Sequence, residues 1–557
     1  MIVVFFLWVL IFFVFLTFGF TLSRVPVKIH TLIENSYSLG ADGYFFMGFL
    51  SLSALTGILS IFIPIANRVL VFVVLLFVIL LIIIYKEIII KLKQSIKEFS
   101  DLNIQELLIL SFLVVFVLTA VVQNITWLDT QSYHAQNIQW IRKYAVVPGL
   151  GNLHDRFAFN SMFFVISALF TFQIKDILIF PLNGICYIIL IVKLFTLYSK
   201  ESRQGNIWKS VVYGLTILIS LLVMIPNLNT PSPDIICAVL TIYAFTIILD
   251  RTEDGRQLTL IQIILLNLLI FTCISYKLSS LFLALSILLF LNKDLLKRIL
   301  ITIVIFVLII SPFIVRNYYL SGYLIYPFPA IDIFNVDWKI PLNNVIETKS
   351  VIEGWARIPV VAYQEVLSMK FSEWIFPWFK QLSFFSKLII SVNFFSVFTS
   401  IIMLIRRDLF MAKIQIIILI NLVFWFIKAP DPRFAYGFIF LGFSLTIAYI
   451  IKIIENSAFI GKTKFIKIAL ACFLLVILCR RITFPGHTLK TPALWILPAQ
   501  FGTVETKDYS TNFLYRIPVD NSECFNTDIP CVTYSLDNVF LRGIDLKDGF
   551  KVKKVDR

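Results

Sequence analysis

The chain has 557 residues, of which 59% are hydrophobic and only 15% charged, against about 25% charged in ordinary soluble domains. A mean hydropathy of +0.91 excludes a soluble globular surface and points to a polytopic membrane protein. The net charge of +15 sits in short Lys/Arg segments between apolar stretches, as the positive-inside rule expects, and so does not point to nucleic acid.

Residues 1–20 are apolar, lack a basic n-region and precede no small-residue cleavage pattern. They read as a retained span and not as a signal peptide. Spans follow near 44–63, 69–85 and 105–123. Segment 86–101 carries Lys86, Lys91, Lys93 and Lys97, which anchors it in the cytoplasm. The span at 105–123 then exits, 124–160 becomes an external loop, and the N-terminus lies outside. Residues 161–172 are apolar but too short to cross. As an interfacial or re-entrant helix they let 177–198 return to the cytoplasm. Basic segments 200–209, 250–256, 293–298, 406–413 and 452–467 then all fall inside.

Further spans are expected near 210–225, 235–249, 258–274, 279–291, 299–315, 383–404, 414–428, 434–452 and 467–483, about fourteen in all. Those at 279–291 and 414–428 look short. The expected fold is an all-α polytopic transmembrane helix bundle with a small non-cytoplasmic C-terminal tail of mixed or β structure. Additional N-terminal helices occupy 1–104, the transmembrane core 105–483 with external loops 124–176 and 316–382, and the tail 484–557. In the long loop, Trp355, Trp374, Phe376 and Trp378 have the spacing of an amphipathic helix on the membrane surface. The tail has short alternating runs at 531–534 and 538–541.

Of seven cysteines, five lie in apolar spans, while Cys524 and Cys531 are neighbours in the polar tail. They are a disulfide candidate, and such a bond needs an oxidising compartment. No Walker loop, GxGxxG after a strand, HExxH or GxSxG is present. That argues against ATP-driven transport within this chain and against a cytosolic dinucleotide enzyme.

The informative segment is Trp127-Leu-Asp-Thr-Gln-Ser-Tyr-His134, followed by Trp140, Arg142 and the run from Val147 to Arg156. Two of the four histidines, His134 and His154, lie in this one loop with Asp129, Asp155 and Arg156. A carboxylate there can take a proton from a hydroxyl or hold a divalent cation. The plainer alternative is a solvated loop, with Trp127 and Trp140 as interfacial anchors. Asp234 opens a span, where helix capping is the plain role. Lys277, Arg316 and Arg433 lie at span ends. They either snorkel to the interface or converge on an anionic lipid head group.

An acidic first outer loop, a short helix that does not cross, a second small outer loop with Asp234, Lys277 between later spans, and a long outer loop together resemble the GT-C class of membrane glycosyltransferases. The pattern Trp127…Asp129…Tyr133-His134…Trp140, with Pro148-Gly-Leu-Gly-Asn-Leu-His154, Asn160-Ser161, Tyr326-Pro-Phe328 and Arg542-Gly…Asp548-Gly-Phe550, also looks like a bacterial membrane protein family of that type. The resemblance implies a GT-C-like fold in the bacterial cytoplasmic membrane and a sugar transferase using a polyprenyl-phosphate-linked donor on the outer face, in cell-envelope polysaccharide or glycoconjugate synthesis. Asp129 matches the catalytic base and Asp234 the second-loop acid. Lys277, Arg316 or Arg433 would stabilise the departing lipid phosphate, with His134, His154 and Arg156 binding substrate. Three spans precede the one that leads into the first loop instead of none, and Asp129-Thr-Gln lacks an adjacent second carboxylate for a metal. A surface-polysaccharide polymerase or ligase is the alternative, which a wide cavity between the long loop and the tail would favour. A lipid or solute transporter would need inverted repeats and charges at mid-membrane.

Overall fold

A computed structural model describes residues 1–29, 39–175, 177–252, 258–290, 295–455, 492–520 and 522–553. The molecule is mostly helical. Eleven helices among the described residues are long and apolar enough to cross a membrane, because in lipid only an internally hydrogen-bonded helix satisfies the backbone without a closed barrel. They lie in α1 (Ile2–Ile29), α2 (Ala41–Phe62), α3 (Asn67–Ser100), α4 (Ile104–Val121), α7 (Leu182–Arg203), α8 (Ile207–Met224), α9 (Pro233–Thr252), α11 (Leu295–Ser321), α15 (Phe384–Ile405), α16 (Leu409–Lys428) and α17 (Tyr436–Glu455). Two shorter apolar helices join them, α10 (Leu260–Tyr276) and a 3₁₀ helix over Leu278–Leu289. The span expected near 467–483 lies outside the described residues, as do His30 and His487.

Three of the expected elements differ in physical detail. The segment at 279–291 is short in residues but not in reach: twelve residues of 3₁₀ helix at about 2.0 Å each extend about 24 Å. The stretch expected at 414–428 starts earlier, at Leu409, and has twenty residues. The basic segment 86–101 continues α3, which kinks at Ile84 and runs to Ser100.

Helix α6 (Met162–Leu169) has eight residues, all buried, and at 1.5 Å per residue extends only about 12 Å. A hairpin of β1 (Phe172–Ile174) and β2 (Ile177–Ile179) turns the chain back, so α6 enters the bundle and does not cross it. Its complete burial makes it re-entrant and not interfacial.

Close packing is sharpest between α1 and α2. A Cβ on Gly48 would stand 1.9 Å from the Phe15 carbonyl oxygen, and one on Gly19 would stand 1.9 Å from that of Tyr44. Small residues let membrane helices approach this closely. Gly48→Leu is expected to force the pair apart and cost about 1–3 kcal/mol, the usual range for overpacking. Thermal unfolding in detergent measures it, with Leu55→Ile on the exposed face of α2 expected to change little.

The end of the bundle holding the first loop is closed by α5 (Ala135–Lys143), by α12 (Leu342–Arg357), α13 (Tyr363–Ser368) and α14 (Phe371–Gln381) of the long loop, and by the tail. Trp355 and the other aromatic residues of the long loop fall on two helices, not one. Trp374 and Trp378 are buried against Trp425 and Phe426, while Phe376 is exposed. The tail forms two antiparallel hairpins, β3 (Thr506–Ser510) with β4 (Leu514–Pro518) and β5 (Val539–Leu541) with β6 (Phe550–Val552). Residues 531–534 form no strand beyond one isolated bridge, from Cys531 to Arg516. Cys524 and Cys531 are joined in a disulfide.

Candidate functional site

The first loop is not a solvated loop. Residues Thr130–His134 make one π-helical turn that runs into α5, and such wide turns recur at functional sites. Thr130, Tyr133, His134, Gln136 and Asn137 are buried. Asp129 stands just before this turn, its side chain only 14% exposed.

Two arginines from distant parts of the chain clasp that carboxylate. Arg433 Nη1 donates to Asp129 Oδ2 at 2.7 Å, and Arg156 Nη1 to Oδ1 at 3.3 Å. Arg433 is held by the turn Asp431-Pro-Arg, in which the Asp431 carboxylate accepts the Arg433 backbone N–H at 3.1 Å and caps the 3₁₀ turn Pro432–Ala435 that leads into α17. Its Nε also lies 2.9 Å from Asp431 Oδ2, an ion pair set off the hydrogen-bond line. Three aromatic rings surround the Arg433 guanidinium: Trp355 at 4.9 Å, Phe434 at 5.0 Å and Trp127 at 5.3 Å. Trp127 is therefore a wall of the site. Trp140 is buried against Tyr144 and Phe550. The long loop locks the same turn, since Trp378 Nε1 donates to the Pro430 carbonyl at 2.8 Å, while Trp425 Nε1 donates to that of Asp431 at 2.7 Å.

Asp234, on the first turn of α9, pairs with Lys277, which begins the 3₁₀ helix and lies 3.7 Å from the centre of the Phe434 ring. The cluster thus sets three carboxylates (Asp129, Asp234, Asp431) against three cations (Arg156, Arg433, Lys277). Burial by itself would raise the Asp129 carboxyl, but the Arg433 and Arg156 guanidiniums outweigh it and hold the group below the usual carboxylate range. Burial raises Asp431 despite Arg433, and it pushes the Tyr133 hydroxyl well above its ordinary value. Arg156 lies over the Tyr133 ring at 5.5 Å.

The other expected residues take different places. His134 is buried, its Nδ1 3.1 Å from Thr130 Oγ1, and burial pushes it down to about 3, so it is neutral at physiological pH. It supports the turn behind Asp129. His154 Nδ1 is 2.9 Å from Asp155 Oδ1 and 3.1 Å from the Arg156 backbone N–H. One nitrogen cannot donate to the first and accept from the second. Because that N–H already donates to Asp155 Oδ1 at 2.8 Å, we assign Nδ1–H to Asp155. Asp155 Oδ2 accepts from Thr348 of α12, whose hydroxyl also accepts from Tyr326. Arg316 stands apart from the carboxylates. It is buried, and it donates to Asn160 Oδ1 at 3.1 Å and to Ser60 Oγ at 3.0 Å.

Residues to which the sequence assigned no role complete the site: Asp431, Phe434, Tyr133 and the glutamines of α5. An Asp-Pro pair before an apolar run is a helix-start signal that could have drawn attention to Asp431. Among the described residues no three His, Cys, Asp or Glu side chains gather as metal ligands. A groove of about 650 Å³ in the tail is lined by Tyr144, Arg516, Asp545 and Lys547 among others. It includes no residue of the Asp129 cluster.

Helices, re-entrant segment and buried ion pairs define a multi-pass membrane protein with a polar site at one end of its bundle. The chain belongs to a family described as a domain of unknown function, DUF8201, whose model matches residues 1–440 and so takes in Asp129, Arg156, Asp234, Lys277 and Arg433. No curated protein and no solved structure matches it.

Proposed function

We propose that the protein is a GT-C-type membrane glycosyltransferase that moves a sugar from a polyprenyl-phosphate donor to an acceptor hydroxyl at the non-cytoplasmic end of its bundle. The observation that carries this reading is the Asp129 carboxylate clasped by Arg433 and Arg156 and walled by Trp127 and Trp355. Clasped in this way, Asp129 is a weak base. An incoming lipid phosphate competes for the arginines, because a guanidinium fork suits phosphate oxygens, and its arrival frees the carboxylate. Asp129 then takes the acceptor proton as the acceptor oxygen bonds to the sugar C1. The bond from C1 to the phosphate oxygen breaks, and Arg433 and Lys277 stabilise the departing lipid phosphate in a water-poor site.

The proposed orientation rests on charge and redox chemistry. Lys200, Arg203, Arg406, Arg407 and Lys452 gather at the end remote from the site, as expected of a cytoplasmic face. The Cys524–Cys531 disulfide lies at the site end, as expected of an oxidising compartment.

Transfer from radiolabelled polyprenyl-phosphate sugars in membranes tests the proposal. Asp129→Asn, inserted at wild-type level, is expected to lose about 10²–10⁴-fold in rate, the usual worth of general-base catalysis. Equal transfer by both proteins removes Asp129 as the base. No transfer by either, across a panel of donors, overturns the transferase reading.

A further inference from the structure

The segment carrying Asp129 has two faces. One turns Asp129, Thr130, Tyr133 and His134 toward the bundle. The other is gripped by the disulfide loop of the tail. The Phe525 N–H donates to the Gln131 carbonyl at 2.7 Å. Gln136 Nε2 donates to the Thr527 carbonyl at 2.8 Å and to that of Phe525 at 3.2 Å. Gln139 Nε2 donates to Asn526 Oδ1 at 2.9 Å and to the Thr527 carbonyl at 3.1 Å. Lys143 pairs with Asp528 at 3.2 Å. Four successive loop residues thus meet four positions on one side of the helical segment, over more than three turns. Gln136 is fully buried in this contact, and both cysteines are 1% exposed.

A second observation is independent of these bonds. Phe525 has φ +48°, a left-handed conformation costly for a bulky side chain. Such strain persists only where the surroundings over-determine it, and it clusters at functional sites. Here it aims the Phe525 N–H at Gln131, two residues from Asp129. Glu523, next to the disulfide, adds a half-buried carboxylate whose charge is felt at His154, Arg156 and Asp129.

We propose that the loop closed by Cys524 and Cys531 is a positioning clamp for Asp129: through Gln136 and Gln139 it fixes the rotation of the π-turn and α5, and so the distance from the carboxylate to the acceptor hydroxyl. Gln136 and Gln139 are positioning residues and touch no substrate. The clamp's catalytic role rests on the transferase reading, but its mechanical role does not. Without the disulfide, a short strained loop gains freedom and loses its grip on the helix. A misplacement of about 1 Å can cost about 10²-fold in rate.

Two variants of the full chain test this. Cys524→Ser/Cys531→Ser opens the loop, and Gln136→Met/Gln139→Met releases the grip with the disulfide intact. In both, amide hydrogen exchange in a peptide spanning residues 129–143 is expected to rise at least about tenfold, while exchange in α8 and α9 stays at the wild-type rate. In the transfer assay kcat is expected to fall about 10²-fold with donor KM unchanged. Wild-type protection over 129–143 in the glutamine variant overturns the clamp, whatever the assay gives. A rise in KM at constant kcat overturns its positioning role. Faster exchange in both variants together with no transfer by the wild type keeps the mechanical clamp and removes the transferase reading.

Discussion

Arg433→Met is expected to lower the unfolding free energy by about 3–5 kcal/mol, the range found when one partner of a buried ion pair is removed. Methionine keeps much of the apolar stem that packs between Trp127, Trp355 and Phe434, so the loss is chiefly one of charge. It leaves Asp129 with Arg156 alone and Asp431 with no cation in ion-pairing distance among the described residues. Two carboxylates then sit mostly buried beside a third, Asp234, with only Lys277 and Arg156 to balance them. Adding Asp129→Asn to this variant is expected to restore part of the loss, because it removes one uncompensated charge. Thermal unfolding of the four proteins in one detergent, as a double-mutant cycle, gives the coupling. If Arg433→Met unfolds at the wild-type temperature, the arginine is not the keystone described above. Transfer activity is expected to vanish with it, since the same guanidinium would receive the lipid phosphate.

The second large effect depends on pH. The folded chain holds His134 down to about 3, by burial, against an ordinary value of 6.5. Between these values the unfolded chain binds a proton at His134 that the folded chain does not. The His134 contribution is therefore full above about 6.5 and falls as pH drops toward 3, at about 1.4 kcal/mol per pH unit. Asp129 and Asp155, whose carboxyls are held low in the fold, lose their contributions only below their ordinary value of 3.8. From pH 6.5 to 4 histidine contributes a loss of about 3 kcal/mol, offset in part by Asp431 and Glu523, whose carboxyls burial raises in the fold. His134→Gln keeps a hydrogen-bonding group toward Thr130 and removes the titration, so its stability is expected to lack this loss over that interval. Parallel slopes for the two proteins would show that His134 charges inside the fold.

The sequence made the spans and the end carrying the site legible, because hydropathy and Lys/Arg placement are properties of short windows. It also brought Asp129, Arg156, Asp234, Lys277 and Arg433 into one list, since each is a polar residue at or near a span end. It could not say which carboxylate meets which cation. Asp129 and Arg433 are 304 residues apart, and only the folded bundle brings the turn between α16 and α17 beside the first-loop segment. Arg316 carries the same local signal as Arg433, yet Asn160 and Ser60 hold it elsewhere. Trp127 has an anchor's position in the sequence, and only the fold places it against Arg433. The motifs around Pro148 and Phe550 lay far apart on paper. In the fold the Phe550 N–H donates to the Pro148 carbonyl at 2.9 Å. Gly149, at φ +66°, and Gly549, at φ +96°, pass where a Cβ would strike backbone oxygen at 2.1 and 2.2 Å.

The 3₁₀ helix over Leu278–Leu289 has three residues per turn, so every third side chain stacks in a straight row. One row, Ser280, Leu283 and Ser286, is its buried seam. The other positions are partly buried or exposed, with Leu278, Leu285 and Ile287 against the core and Phe282 on Phe424, and the two ends carry polar ties. Lys277 is tied to Asp234 at the site end, and Arg298 donates to the Phe290 carbonyl at the other. An anion that draws Lys277 away from Asp234 removes one tie at the site end and leaves another, the Ser279 hydroxyl on the Phe434 carbonyl. Occupancy of the site and slack in that helix are therefore mechanically joined.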